Sequence, residues 1–175
     1  VDPVLGPEMR STGEVMGVGA TFGEALFKSQ LGAGNTLPPA GSTVFISVRD
    51  DDKPKAIVVA AELADAGYKL VATRGTASAL AHAGIDCKII NKVSDGRPNV
   101  LDMIKNKALQ LLIMTSNESK GEINDARAIR LAALGHRVTY FTTIAGGRAA
   151  VEGIKHLADA RVYSLQEIHP KHTVA

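Results

Sequence analysis

From residue 43 onward the chain alternates short β-branched runs with helix-length segments, and this alternation restricts the fold more than any other feature. The pattern predicts strands at 43–48 (TVFISV), 69–73, 87–90, 110–115, 137–141 and 161–165. Helices are predicted between them at about 53–65, 76–83, 99–106, 122–134 and 146–157. Consecutive parallel strands need a crossover, so βα repetition implies a parallel sheet with helices on both faces, an α/β three-layer αβα architecture. The run LQLLIMTS at 109–116 fits a central strand buried on both sides.

The 175 residues allow one full domain plus an extension. Hydrophobic residues make up 45% of the chain, with 4% aromatic and no Trp, so the core has to be built from Ala, Val, Ile and Leu. Before residue 43 the stretch TFGEALFKSQL (21–31) predicts a short helix capped by Thr21, with Phe22, Ala25, Leu26 and Leu31 on one face. The following GAGNTLPPAG ends it and reads as a linker. A boundary near residue 40 separates a helical and extended segment, 1–40, from the domain, 41–175.

The formal net charge is +2, and Lys and Arg are interspersed with Asp and Glu. Nothing in that distribution implies nucleic acid, whereas a small anion remains a fitting ligand. The single Cys87 excludes an internal disulfide, which suits a cytoplasmic protein. No apolar run reaches the ~18 residues that a bilayer crossing needs, and VDPVLGPEMR lacks the pattern of a signal peptide. The chain starts without Met, as a piece of a longer protein would.

In doubly wound sheets ligands bind beyond the carboxyl ends of the strands, where the strand order reverses. The strand ends here read SVRDDDK, ATRGT, IINKVSDGRPN, MTSNESKGE and YFTTIAGG. They supply Lys53, Thr73, Thr76, Lys92, Arg97, Thr115, Ser116, Thr142 and Thr143 to one rim. Cations and hydroxyls around a helix N-terminus are the groups a phosphate requires. Gly75 would let the backbone approach it, and Thr73 and Thr76 would donate hydroxyl hydrogen bonds. The structural alternative for Thr76 is an ordinary N-cap.

Other motifs carry less. GVGATFG (17–23) has G-x-G-x-x-x-G spacing with no preceding strand, and AGG at 145–147 lacks the Lys-Ser/Thr of a P-loop. His82, His136, His156, His169 and His172 have no metal-ligand spacing, and the acids of RDDD (49–52) suit a helix start better than a metal. No catalytic and no metal-ligating residue is assigned.

Several motifs together resemble a known family. LGPEMRSTGEVMG (5–17) looks like the stretch that closes the second synthetase half of the carbamoyl-phosphate synthase large subunit. SVRDDDK, ATRGTA, INKVSDGRPN and TTIAGGRAA are similar to its C-terminal allosteric domain. The resemblance implies a methylglyoxal-synthase-like fold, with a Rossmann-like parallel sheet of five strands. It also implies nucleotide effectors, UMP as inhibitor and IMP as activator, with ornithine as a further activator. By the same resemblance Ser47, Lys53, Thr73, Gly75, Thr76 and Lys92 match nucleotide-phosphate positions, and Thr115 and Ser116 a hydroxyl pair after the fourth strand. Asp125 and Thr142 match ornithine contacts. Met114 and Phe141 depart from the family pattern, where Asn and Asp stand in some members.

For the whole subunit the resemblance implies ATP, Mg²⁺ or Mn²⁺ and K⁺, a small glutaminase subunit as partner, and self-association of large subunits. The synthetase half would supply the contacts of the 1–40 segment, much of which is expected to be mobile without it. This chain itself would need no cofactor and would be non-catalytic. Two other readings stay open: a phospho-sugar lyase of the methylglyoxal synthase type and an oligomerisation module. Against the lyase, Arg49 and Arg97 stand where that enzyme has its His and Asp, and a guanidinium does not give up a proton near neutral pH.

Overall fold

The computed structural model describes residues 15–116, 120–157 and 162–168. Five short runs of branched and apolar residues form one parallel sheet: β1 (Thr43–Ser47), β2 (Lys69–Thr73), β3 (Lys88–Ile90), β4 (Leu111–Met114) and β5 (Thr139–Phe141). Their order is β3-β2-β1-β4-β5. Helix α1 (Phe22–Gly32) precedes the sheet. Crossovers are made by α2 (Lys53–Asp65), α3 (Arg74–His82), α4 (Val100–Lys105) and α5 (Lys120–Gly135), and α6 (Ile144–Ile154) and α7 (Leu165–Ile168) follow β5.

Side chains alternate across a strand, so each central strand feeds two cores. Val44 and Ile46 of β1, Leu70 and Ala72 of β2, and Leu111 and Ile113 of β4 pack under α1, α2, α3 and α6. Phe45, Val71, Leu112 and Met114 face the opposite layer, formed by Val100 and Ile104 of α4 and Ala126, Ile129 and Ala133 of α5. Burial on both faces explains why β1 and β4 read as continuous apolar runs.

Three expectations change. The strand predicted at 161–165 is absent: residues 162–164 are irregular and 165–168 are helical, while Arg161 lies outside the described residues. The reason is local: Ser164 Oγ accepts from Glu167 N (3.2 Å) and Glu167 Oε2 accepts from Ser164 N (2.7 Å), a capping box spelled S-x-x-E. Helix α3 begins at Arg74, with Thr73 rather than Thr76 as its N-cap. Helix α1 does carry Thr21 as N-cap, accepting from Glu24 N at 3.2 Å, but its buried residues are Gly23, Glu24 and Phe27. Phe22 is 65% and Leu31 45% exposed.

That rotation follows from how α1 meets α6. A Cβ on Gly23 would stand 2.9 Å from the Glu152 carbonyl oxygen, so only glycine lets the two helices approach this closely. Phe27 and Leu37 enter the core, Thr139 Oγ1 donates to the Thr36 carbonyl (2.9 Å) and Tyr68 Oη to that of Pro38. Residues 21–40 therefore find packing and hydrogen-bond partners within this chain. Residues 1–14, most of the LGPEMRSTGEVMG motif, lie outside the described residues.

A latch completes this side. Glu24, 6% exposed, receives hydrogen bonds from Lys28 Nζ (2.8 Å), Ala20 N (2.8 Å) and Tyr163 Oη (3.2 Å). Lys28 also donates to the Val18 carbonyl (3.0 Å) and lies 4.1 Å from the Tyr163 ring centroid. The Lys28 hydrogen bond, followed by that from Ala20, holds the Glu24 carboxyl down at about 2. The glycine-rich stretch before α1 is a strap pressed on that helix: a Cβ on Gly17 would fall 1.9 Å from the Ala25 carbonyl oxygen.

Candidate functional site

The chain runs β1 to β3 toward one edge of the sheet and then returns to β4 and β5 on the other side of β1. Strand order thus reverses between β1 and β4, the place where an open α/β sheet has a crevice at its carboxyl ends. A cleft of about 280 Å³ opens there. That volume is close to the ~300 Å³ at which small-molecule pockets begin.

One wall is polar and is set by the parallel register of β1 and β2. Ser47 and Thr73 end those strands side by side, with their hydroxyl oxygens 3.0 Å apart. Two hydroxyls in such a pair use one proton between them, so one O–H stays free to donate into the cleft. Thr73 is turned to Ser47 and makes no side-chain cap, so the first turn of α3 presents its backbone N–H groups uncapped. Thr76, 2% exposed, has a structural duty: its Oγ1 accepts from Val48 N at 3.1 Å and pins the turn after β1 to α3. Its contact to the Val48 carbonyl is 3.5 Å, too long to be a firm hydrogen bond.

Two lysines face this wall. Lys53 opens α2 and reaches across α3, where a Cβ on Gly75 would stand 3.7 Å from its Nζ. Lys92 caps the 3₁₀ turn Val93–Asp95 after β3. Asp125 of α5 fixes that turn, accepting from Ser94 N at 3.1 Å. Lys53 also forms an ion pair with Asp50 Oδ1 at 2.7 Å. The Asp50 carboxyl is held below its usual range by the Lys53 hydrogen bond and charge, with a contribution from Lys92.

The floor is apolar: Phe45, Val93, Val100, Met114, Ala126 and Ile129 line it. Thr115 and Ser116 close the rim, and Thr115 Oγ1 accepts from Arg49 N (3.1 Å). A ligand with an anionic end and a flat, partly apolar body fits such a division.

The cleft gathers Ser47, Lys53, Thr73, Gly75, Thr76, Lys92, Thr115, Ser116 and Asp125. Three expected rim residues are not among its lining. Arg97 is engaged by the Asp102 carboxylate, Thr142 is exposed at the end of β5, and Thr143 caps α6 by accepting from Gly146 N at 3.0 Å. Asp125 and Thr142, paired in the expectation, thus stand one inside and one outside the cleft. Residues 117–119 of the loop after β4, and His169 and His172, lie outside the described residues.

Sequence reasoning missed Asp50 and the floor. The acids of RDDD read as a helix-start signal, yet each of two has a cation: Asp52 takes Arg49 Nε at 2.8 Å and Asp50 takes Lys53. Among the described residues no group of three or more His, Cys, Asp or Glu is placed to hold a metal ion. No helix among them is long and apolar enough to cross a membrane.

Residues 55–142 match the family profile described as the MGS-like domain. The chain is 64% identical over 169 residues to the carbamoyl phosphate synthase large chain of Ralstonia nicotianae, covering 97% of this chain and 16% of that protein. It is 50% identical over 171 residues to that of Pasteurella multocida, covering 98% and 16%, and 52% identical over 169 residues to that of Pseudomonas syringae, covering 97% and 16%. The chain therefore spans 16% of the length of these curated relatives.

Proposed function

The chain belongs to the MGS-like domain family, as the MGS-like region of a carbamoyl phosphate synthase large chain, and from that premise we propose that it binds a nucleotide effector, UMP or IMP. The observation that supports this most is the meeting of Lys53, Lys92, the uncapped start of α3 and the Ser47–Thr73 hydroxyls above an apolar floor. In this reading the phosphate takes the polar wall, where hydrogen bonds to charged groups are worth about 1.5–3 kcal/mol each. The base lies on Val93, Met114 and Ile129, and Asp125, Thr115 and Ser116 meet its polar edge or the ribose. Ornithine gains less support, because Thr142 is outside the cleft that holds Asp125.

Binding in such a domain regulates only through different affinities for two states of the larger enzyme. Carbamoyl phosphate synthesis, with its ATP, divalent metal, K⁺ and glutaminase partner, is assigned here to the remainder of a large chain. A lyase of the methylglyoxal synthase type lacks support: the described residues lining the cleft include no His, and Arg49 is a guanidinium paired with Asp52.

Calorimetric titration of the chain with UMP, IMP and inorganic phosphate tests the reading. Saturable binding of UMP or IMP at least about tenfold tighter than phosphate is expected, since the floor adds contacts that phosphate cannot make. Nucleotide binding no tighter than phosphate, or none, would reject it.

A further inference from the structure

Asp50 is the element of the cleft that the nucleotide reading leaves unused. Its carboxylate occupies a position an anionic ligand would want: 2.7 Å from Lys53 Nζ and inside the field of Lys92. A carboxylate that merely served the helix dipole would not need to line the cavity, and Asp50 does. Its side chain is also 91% exposed, against 27% for Lys53. The lysine is held in place while the acid is free to swing into water.

We propose that Asp50 is an internal competitor for the anion site, so that ligand binding is an exchange in which a phosphate displaces the Asp50 carboxylate from Lys53. This inference rests on the phosphate reading of the cleft. Its physical basis is the charge balance there. Among the described residues lining the cleft, Lys53 and Lys92 stand with Asp50 and Asp125, while Arg49 is occupied by Asp52. With Asp50 in place a dianion meets little net positive charge. Once Asp50 has rotated outward, Lys53 is available to it. Asp125 cannot follow, because its oxygen is tied to Ser94 N on the turn that carries Lys92. The exchange makes the site selective by charge and geometry. An anion has to hold Lys53 better than a tethered carboxylate does, which a phosphate dianion with three oxygens achieves and a lone carboxylate ligand does not.

The test titrates the wild-type chain, Asp50→Asn and Asp51→Asn with UMP and with inorganic phosphate at about 0.15 M ionic strength, where a surface charge outside the cleft is screened within about 8 Å. Asp51 is the neighbouring exposed acid outside the cleft, so its substitution makes the same change in net charge without touching the pair. Asp50→Asn should tighten both anions by about three- to tenfold, as expected for freeing an exposed ion pair and removing a like charge. Asp51→Asn should change them by less than about twofold, because its charge is screened by water. Acetate should compete measurably only in Asp50→Asn. If the wild type binds UMP but Asp50→Asn is no tighter, or if both variants tighten equally, the exchange is rejected and the nucleotide site stands. Absence of UMP and phosphate binding in all three proteins rejects the site and the exchange together.

Discussion

Two lysine–carboxylate pairs of nearly equal length sit in opposite settings. Glu24–Lys28 closes at 2.8 Å with side chains 7% and 18% exposed, and Asp50–Lys53 at 2.7 Å with the acid 91% exposed. Around Glu24 two further donors, Ala20 N and Tyr163 Oη, join the lysine, and the lysine itself holds Val18 and the Tyr163 ring. Breaking that pair would strand a shielded charge among groups with nowhere else to turn. At Asp50 water replaces whatever the lysine gives up, so the pair can open cheaply. Separation does not distinguish a structural bond from an exchangeable one; the number of other partners and access to water do.

The lysines offer the hardest test of that contrast. Lys92→Ala should weaken UMP binding by more than about tenfold, the loss of one charge-assisted contact. Lys28→Ala should lower the melting temperature by several degrees while UMP binding is kept. Calorimetry and thermal melts on the two variants separate the regions cleanly. A Lys92→Ala protein that binds UMP normally would remove the cleft from consideration as the phosphate site.

Glycines give the same contrast at smaller scale. Gly23→Ala places a Cβ 2.9 Å from the Glu152 carbonyl oxygen, a backbone atom that cannot yield without moving α6. Overpacking of this kind costs about 1–3 kcal/mol, read by urea unfolding. Gly75→Ala meets nothing nearer than Lys53 Nζ at 3.7 Å, and alanine is the better helix former by up to ~1 kcal/mol. It should fold at least as stably as the parent and bind UMP a few-fold more weakly, since the new methyl stands beside the phosphate's lysine. Loss of stability in both variants would show that the two glycines serve the same end.

The cleft was more legible in the sequence than the latch, for a physical reason. Ser47, Thr73 and Thr115 end or follow parallel strands, so recognising the strands places those residues on one rim. Which rim residues point inward depends on paths between the elements. Arg97 is taken by Asp102 five residues on, and Thr143 is used to cap α6. The latch joins Glu24 to Tyr163 across 139 residues, and no local periodicity announces such a contact. Glycine at 17 and 23 looked like a loop motif because the close approach each one makes, Gly17 to α1 and Gly23 to α6, is a tertiary contact that the string does not show. The Ser164–Glu167 capping box, by contrast, was written in SLQE and was outweighed by Val162 and Tyr163 beside it.

Acid titration measures the smallest difference between the two pairs and identifies the cause most directly. The Glu24 carboxyl lies at about 2 in the folded chain against an ordinary value of 4.5. The unfolded chain therefore binds the proton first, and stability falls as pH falls. Its contribution is complete above pH 4.5 and is lost as the pH drops toward 2. Glu24→Gln removes that titrating group, so its melting temperature should lie below that of the parent at pH 6 and converge on it as the pH falls from 4.5 toward 2. Asp50 is also shifted downward, yet an acid open to solvent transmits little of its shift to folding. Asp50→Asn should run parallel to the parent across the same range. A constant gap between Glu24→Gln and the parent at every pH would mean that the glutamate acts by shape and hydrogen bonding alone, and that its charge has no share in holding strap, α1 and Tyr163 together.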